Sequence, residues 1–283
     1  MSTPNVSEPI VSSHFRRWAE EWRDKPADWW RVVLVLLAYL GGLVLVILLA
    51  NLLLVPALKS SFGTVPSFYK ELLEMSILGL SFALGSWGLL RARRALHGAT
   101  PSLWAVSGAK FRWADVVLSG LVWWVLFLLA AAVTGLDDIR DRLMTYDITQ
   151  WALLAVIALA TFSIQATSEE LAFRGYLLPL LASRASPIIA VLVSTTMFTV
   201  GHPGSGVYGT IGVAAFALMF SLCVLHTATV SYAAGAHVAN NMAMFLLFPT
   251  VENDATTLLD LTQLVVALII WFLWVRYRHA RRH

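Results

Sequence analysis

Thr167-Ser168-Glu169-Glu170-Leu171-Ala172-Phe173-Arg174-Gly175 is the stretch that decides how this chain reads. It follows the apolar run from Trp151 to Ala166 and leads into Tyr176-Leu177-Leu178-Pro179-Leu180-Leu181. Two carboxylates and an arginine are expensive in such surroundings. A charge near a bilayer centre costs ~2.5–3.5 kcal/mol on insertion scales, so ionisable residues there are usually functional and usually paired. On a helix, Glu170 and Arg174 stand four apart with the acid first, the favourable order for an ion pair. Glu169 is turned about 100° away. Glu170 therefore reads as the held charge and Glu169 as the available one. A helix end at the membrane surface, with a solvated charge cluster, would carry the same residues, and this stretch alone does not separate the two readings.

The rest of the chain supports the membrane. Hydrophobic residues make up 58% of 283 and charged residues 13%, where a soluble domain carries about 25% charge. The fold class expected is an all-α polytopic membrane protein. A sheet is not expected, because lipid accepts only helices or closed barrels and the apolar runs here are continuous rather than alternating. The single cysteine, Cys223, excludes an intramolecular disulfide and reads as a packing residue. The net charge of +3 calls for no nucleic acid as partner. Residues 1–13 read as a disordered tail without the basic-then-apolar pattern of a cleaved signal. From His14 to Arg23, Phe15, Trp18 and Trp22 recur at three and four, predicting an amphipathic helix lying in the membrane interface. Trp29 and Trp30 fit an aromatic belt.

Eight apolar segments follow: 32–55, 72–90, 115–136, Gln150 into the Glu-Glu stretch, 187–201, 208–225, 230–248 and 258–275. Several are shorter than the ~20 residues a bilayer core needs. With the amino terminus in the cytosol, eight spans give that side Arg16, Arg17, Arg23, Lys25, Arg31, Arg91, Arg93, Arg94, Lys110, Arg112, Arg184, Arg276, Arg278, Arg281 and Arg282. The other side receives Lys59, Lys70, Arg140 and Arg142, with the acids Asp137, Asp138, Asp141, Asp147, Glu252 and Asp254. That bias predicts both termini in the cytosol. The organisation expected is a cytosolic tail with an interfacial helix over 1–31, amino-terminal spans over 32–148, a catalytic core over 149–277 and a basic tail over 278–283.

Further polar residues break the apolar pattern. The fifth segment ends Phe198-Thr199-Val200-Gly201-His202-Pro203, and the seventh holds His237-Val238-Ala239-Asn240-Asn241. His237 and Asn241 share a helix face, with Asn240 turned away from it. A packed histidine and a helix-gluing asparagine are the bland alternative. His226, beside Thr227 and Thr229, reads as a residue of a turn. If the chain folds back at Ser186, Glu169 lies 17 residues before the turn and His202 16 after it, so in an antiparallel hairpin they reach equal depth, about 24–26 Å of helix. His237 lies only eight residues past Thr229 and needs tilt or a deeper turn to meet them. Pro179 is expected to kink the hairpin's first arm.

Two carboxylates, two imidazoles and an amide at one buried site suggest hydrolysis. A buried glutamate can act as general base toward water, and a histidine can share that proton. Amide and imidazole donors can hold the oxyanion of a peptide bond under attack. Glu-Glu-x-x-x-Arg (Glu169, Glu170, Arg174), then Phe-x-x-x-His (Phe198, His202), then His-x-x-x-Asn (His237, Asn241), in this order, resembles the CPBP family of intramembrane proteases. That is the type II CAAX prenyl endopeptidase and bacteriocin-immunity family, also called ABI. The resemblance covers Glu169 to Asn241, and the first motif is extended by the wording Glu-Glu-Leu-Ala-Phe-Arg-Gly.

The resemblance implies that Glu169 and His202 activate the water, that His237 and Asn241 form the oxyanion hole, and that Glu170, Arg174 and Phe198 support the site. It implies an eight-helix fold in the cell membrane with a cavity open to the cytosol. The substrate implied is a peptide or protein, in some relatives a prenylated one. No metal or other cofactor is called for. Zinc is the nearest rival, although neither His-Glu-x-x-His nor His-x-x-Glu-His is present. A non-enzymatic immunity or scaffold protein would keep the same residues. A proton-coupled transporter also uses buried Glu and His, but the duplicated halves such transporters often show are not visible here.

Overall fold

The computed structural model describes residues 11–25, 28–62, 66–98, 101–105, 109–134, 137–203, 206–247 and 258–281. Among these residues the regular structure is all helical, and one isolated bridge joins Ala105 to Thr229. Twelve helical elements run in order: α1 Ser13–Arg23, α2 Trp29–Leu49, α3 Val55–Phe62, α4 Ser67–His97, α5 Trp113–Thr134, α6 Asp137–Leu143, α7 Ile148–Glu170, α8 Leu178–Ala182, α9 Pro187–Val200, α10 Gly206–Thr227, α11 Ser231–Leu247 and α12 Leu258–Ala280. Two π-helical segments, Ala50–Leu54 and Leu171–Leu177, join α2 to α3 and α7 to α8.

Among the described residues six helices are long and apolar enough to cross a membrane: Trp29–Leu58, Ser67–His97, Trp113–Val133, Ile148–Ala182, Gly206–Thr227 and Leu261–Ala280. The expected count of eight is therefore not reached by length. The fifth and seventh expected spans appear as α9, with 14 residues, and α11, with 17. α11 can be short because it faces protein. It packs between α5 and α7 and touches α10 and α6. Its own surface is built of small residues, Ala233, Ala234, Ala236, Ala239 and Ala243, all buried. Small residues let backbones approach closely where lipid offers no hydrophobic drive. At Gly235 the approach is so close that a Cβ would collide with the Val116 carbonyl of α5. From α11 the packing runs outward, through α7 and α4 to α2 on one flank and through α5, α12 and α10 to α9 on the other.

α1 corrects an expectation. Its aromatic face does form, but it lies on protein instead of the membrane interface: Phe15, Trp18 and Trp22 are fully buried. Ser12 caps the helix through the Phe15 amide and donates from both its amide and its hydroxyl to the Leu225 carbonyl. Residues 11–13 are thus ordered, while the rest of the expected tail, 1–10, lies outside the described residues, as do Glu252 and Asp254. Trp18 Nε1 donates to the Ser102 carbonyl, and the Trp22 ring meets Tyr176 and His97 edge-on. An amphipathic pattern fixes which face is apolar and leaves open what covers it.

Arginines tie one end of the bundle together. Arg31 donates to the Leu96 carbonyl, Arg93 to that of Pro101, Arg184 to those of Trp22 and Lys25, and Arg278 to Asp115. All four belong to the set assigned to the cytosolic side. Arg142, from the opposite set, is bound at the start of α4 and α7, to Glu71 and against the Trp151 ring.

Candidate active site

Sequence position dictates the first arm of the site. Asp147 and Gln150 form a capping box that starts α7, and helical residues then follow without interruption to Ala182. Pro179 does not break it. The proline stands in the first turn of α8, directly after the π segment Leu171–Leu177. A proline removes one backbone bond and crowds the carbonyl four residues earlier; here that residue is Gly175, inside the widened turn. Gly175 is needed for a second reason, since a Cβ there would collide with the Leu103 carbonyl of the loop before α5. The return arm begins at Ser186, whose side chain caps α9 through the Ile189 amide, with Pro187 in the first turn. The hairpin register is visible in Arg174 and Phe198, each twelve residues from Ser186, with the guanidinium 4.5 Å from the ring centroid.

The Glu170–Arg174 pair is formed and fully buried. Arg174 Nη1 lies 3.1 Å from Glu170 Oε1, and both side chains are 0% exposed. Arg174 Nη2 donates to the Ala217 carbonyl of α10 at 3.1 Å. The Phe198 and Phe220 rings cover the cation at 4.5 and 5.8 Å. His237 extends this pair into a chain. Its Nδ1 is 2.9 Å from Glu170 Oε1, and its Nε2 is 3.4 Å from Glu169 Oε2. Glu169 therefore does have a partner in the fold, contrary to its isolation within its own motif. The two contacts are unequal. The first is a hydrogen bond, while the second is a charge contact in which Glu169 Oε2 has no hydrogen-bond partner. Glu170 Oε2 also lacks one.

Asn241 lies one turn beyond His237 on α11 and faces Gln165, one turn before Glu169 on α7. Asn241 Nδ2 donates to Gln165 Oε1 at 2.6 Å. Two antiparallel helices thus form two rungs: Glu169 with His237, and Gln165 with Asn241. Asn240 is not turned away from these groups, because its amide donates to Asn241 Oδ1 at 3.2 Å. His202 stands two residues past the end of α9, in a turn, so the equal-depth count of helical rise stops short of it. Its Nδ1 is 2.8 Å from the Phe198 carbonyl, and its ring stacks on Phe198 at 4.5 Å. Phe198 also meets the His237 ring, at 6.0 Å, and so lies against both imidazoles.

His237 is closed in further by Phe216 at 5.8 Å and Phe220 at 5.7 Å. Those two phenylalanines and Gln165 were missed from sequence. The phenylalanines carry no signal within an apolar run. Gln165 did, as an amide one turn before a carboxylate in a span. Ser168 ties the site to the amino-terminal helices through Ser86 Oγ at 2.6 Å and the Phe82 carbonyl at 3.3 Å. His226 ends α10 with its ring 5.3 Å from that of His279. Among the described residues no group of three or more His, Cys, Asp or Glu could hold a metal ion.

Such a fold and site define a multi-pass helical membrane protein with a buried carboxylate–imidazole–carboxylate–guanidinium chain. Residues 150–243 match the model of the family described as type II CAAX prenyl endopeptidase Rce1-like. That stretch runs from the start of α7 into α11 and contains Glu169, Glu170, Arg174, Phe198, His202, His237 and Asn241. The match supports the CPBP resemblance drawn from the motifs and sets its bounds. No curated protein and no solved structure matches the chain.

Proposed function

We propose that this chain is an intramembrane endopeptidase that hydrolyses a peptide bond with water activated by Glu169 and His202. The water oxygen adds to the carbonyl carbon while Glu169 takes its proton. The oxyanion is held by donors from His237 and Asn241. Glu169 then returns the proton to the leaving amine as the carbon–nitrogen bond breaks. The observation that carries this reading is the inequality at His237. Nδ1 is anchored on Glu170, itself fixed by Arg174, while Nε2 makes only the 3.4 Å contact to Glu169. The loose nitrogen is the one that can turn to a developing oxyanion, and the unpaired Glu169 oxygen is the one that can receive a water. The substrate is a peptide or protein.

The test is cleavage of a fluorogenic peptide panel in lipid nanodiscs. Glu169→Gln, His202→Ala and Asn241→Ala should all lose turnover, with Asn241→Ala slowed ~10²–10³-fold at unchanged KM. Cleavage at the wild-type rate by Glu169→Gln would end the glutamate-base mechanism. Loss of wild-type activity on chelation, restored by zinc, would replace it with a metal mechanism. No cleavage by any form would favour a non-enzymatic partner.

A further inference from the structure

We infer that Gln165 is a positioning residue for this hydrolysis, acting through the Asn241 amide. The inference rests on the oxyanion role proposed above for Asn241. An amide side chain carries two N–H donors and one oxygen, and the two ends are told apart by their partners. Here the partners agree. Asn240 Nδ2 donates to Asn241 Oδ1 at 3.2 Å, and Asn241 Nδ2 donates to Gln165 Oε1 at 2.6 Å. With its oxygen accepting from Asn240, Asn241 turns its nitrogen toward Gln165 in this arrangement. Gln165 then engages one N–H, and the second stays on the same nitrogen to donate to a reacting oxygen. Without Gln165 the amide can rotate about its last bond, a broad and nearly two-fold torsion, and present an oxygen where a donor is needed.

Placement supports the role. Gln165 is buried, at 8% exposure. It stands four residues before Glu169, on the same face of α7, as Asn241 stands four after His237 on α11. The base and the amide that orients the donor are therefore carried by one rigid helix. A lone amide gluing two helices would account for the contact, and the experiment separates the two roles.

The experiment is a double-mutant cycle on the full chain in nanodiscs: wild type, Gln165→Met, Asn241→Ala and both together. Gln165→Met keeps the length and removes the acceptor. It should lower kcat about tenfold with KM unchanged, the rate equivalent of one neutral hydrogen bond. In the Asn241→Ala background it should lower kcat no further. An equal loss of kcat in both backgrounds would overturn this inference and leave the oxyanion role of Asn241 intact. Wild-type kcat in Asn241→Ala would overturn both. The same four proteins are melted in detergent. The double variant should melt no lower than the less stable single variant, and fully additive Tm shifts would overturn the contact whatever the cleavage assay reads.

Discussion

Among the described residues two glutamate–arginine pairs join the helices, and they are finished differently. Arg142 of α6 grips Glu71 of α4 with both ends of its fork, at 3.1 Å to Oε1 and 2.7 Å to Oε2. The Tyr146 hydroxyl adds a third bond, to Oε1 at 2.7 Å. Every oxygen of Glu71 is served. Burial works to lower the basicity of Arg142, but the Glu71 bonds and charge outweigh it and hold the guanidinium above its ordinary pKa. Arg174, by contrast, reaches only one oxygen of Glu170, and that oxygen is shared with His237. One oxygen each of Glu169 and Glu170 accepts no hydrogen bond. In both clusters the arginine Nε is without a hydrogen bond, but Arg142 spends both Nη atoms on its acid while Arg174 gives one of them to the Ala217 carbonyl. A carboxylate with all its lone pairs committed fastens helices together. A buried one with an uncommitted oxygen is costly, and that cost is intelligible where a water or proton must be received.

The strongest way to break this contrast is to remove one acid from each cluster. Glu169→Gln should fold with a near-normal Tm and lose ~10²–10⁴-fold in kcat, while Glu71→Gln should keep wild-type kcat once folded. Turnover in Glu169→Gln together with loss in Glu71→Gln would invert the assignment. Next in size is Arg174→Ala, which strands Glu170 in the interior. Breaking a buried pair from one side costs ~3–5 kcal/mol, so yield and Tm in detergent should fall sharply. The double change Glu170→Gln with Arg174→Gln should recover part of the loss. Normal stability of Arg174→Ala would show that the pair is not desolvated.

Arg142→Ala should cost less, about 1–2 kcal/mol, because the Glu71 side chain is 22% exposed and can be rescued by water. A melting curve checks the first half of that expectation and nanodisc cleavage at unchanged kcat the second. The smallest perturbation asks which side each cluster faces. Reporters fused within residues 51–60 and after His283 should read outside and cytosolic respectively, placing Arg142 away from the cytosol. A carboxy-terminal reporter active on the outer face would overturn the even-span arrangement.

The residues of the site were legible where chemistry stands out from its background. Glu169, Glu170 and Arg174 are conspicuous because charge in an apolar helix demands a reason. His237 and Asn241 are conspicuous because they repeat at a helical turn. The contacts were less legible than the residues. Helical phase correctly paired Glu170 with Arg174 but left Glu169 alone, because its partner His237 comes from a helix 67 residues away from Glu170 in the chain. Phe216 and Phe220 could not be singled out among so many apolar residues. The aromatic face of α1 was read correctly and its partner incorrectly, since tryptophans suit a lipid interface and a protein groove equally. The number of spans was less legible for a related reason. α11 is recognisable as a helix, but only packing shows that it spends its length against protein.

The π segment Leu171–Leu177 has a consequence for how this chain can change. A turn that closes on the fifth residue instead of the fourth holds one residue more than an α-helix would. Each residue of an α-helix advances the face by about 100°, so the surplus residue rotates everything after it relative to everything before. Gln165 and Glu169, upstream, are thereby aligned to α11 independently of Tyr176 and the residues that meet α1 downstream. The segment behaves like a clutch between two halves of one helix. Loss of a single residue at Ala172 would leave the polarity of the sequence almost untouched, yet would swing one half out of phase with its neighbours. Variation in this stretch should therefore be tolerated as exchange of one side chain for another and punished as a change in length.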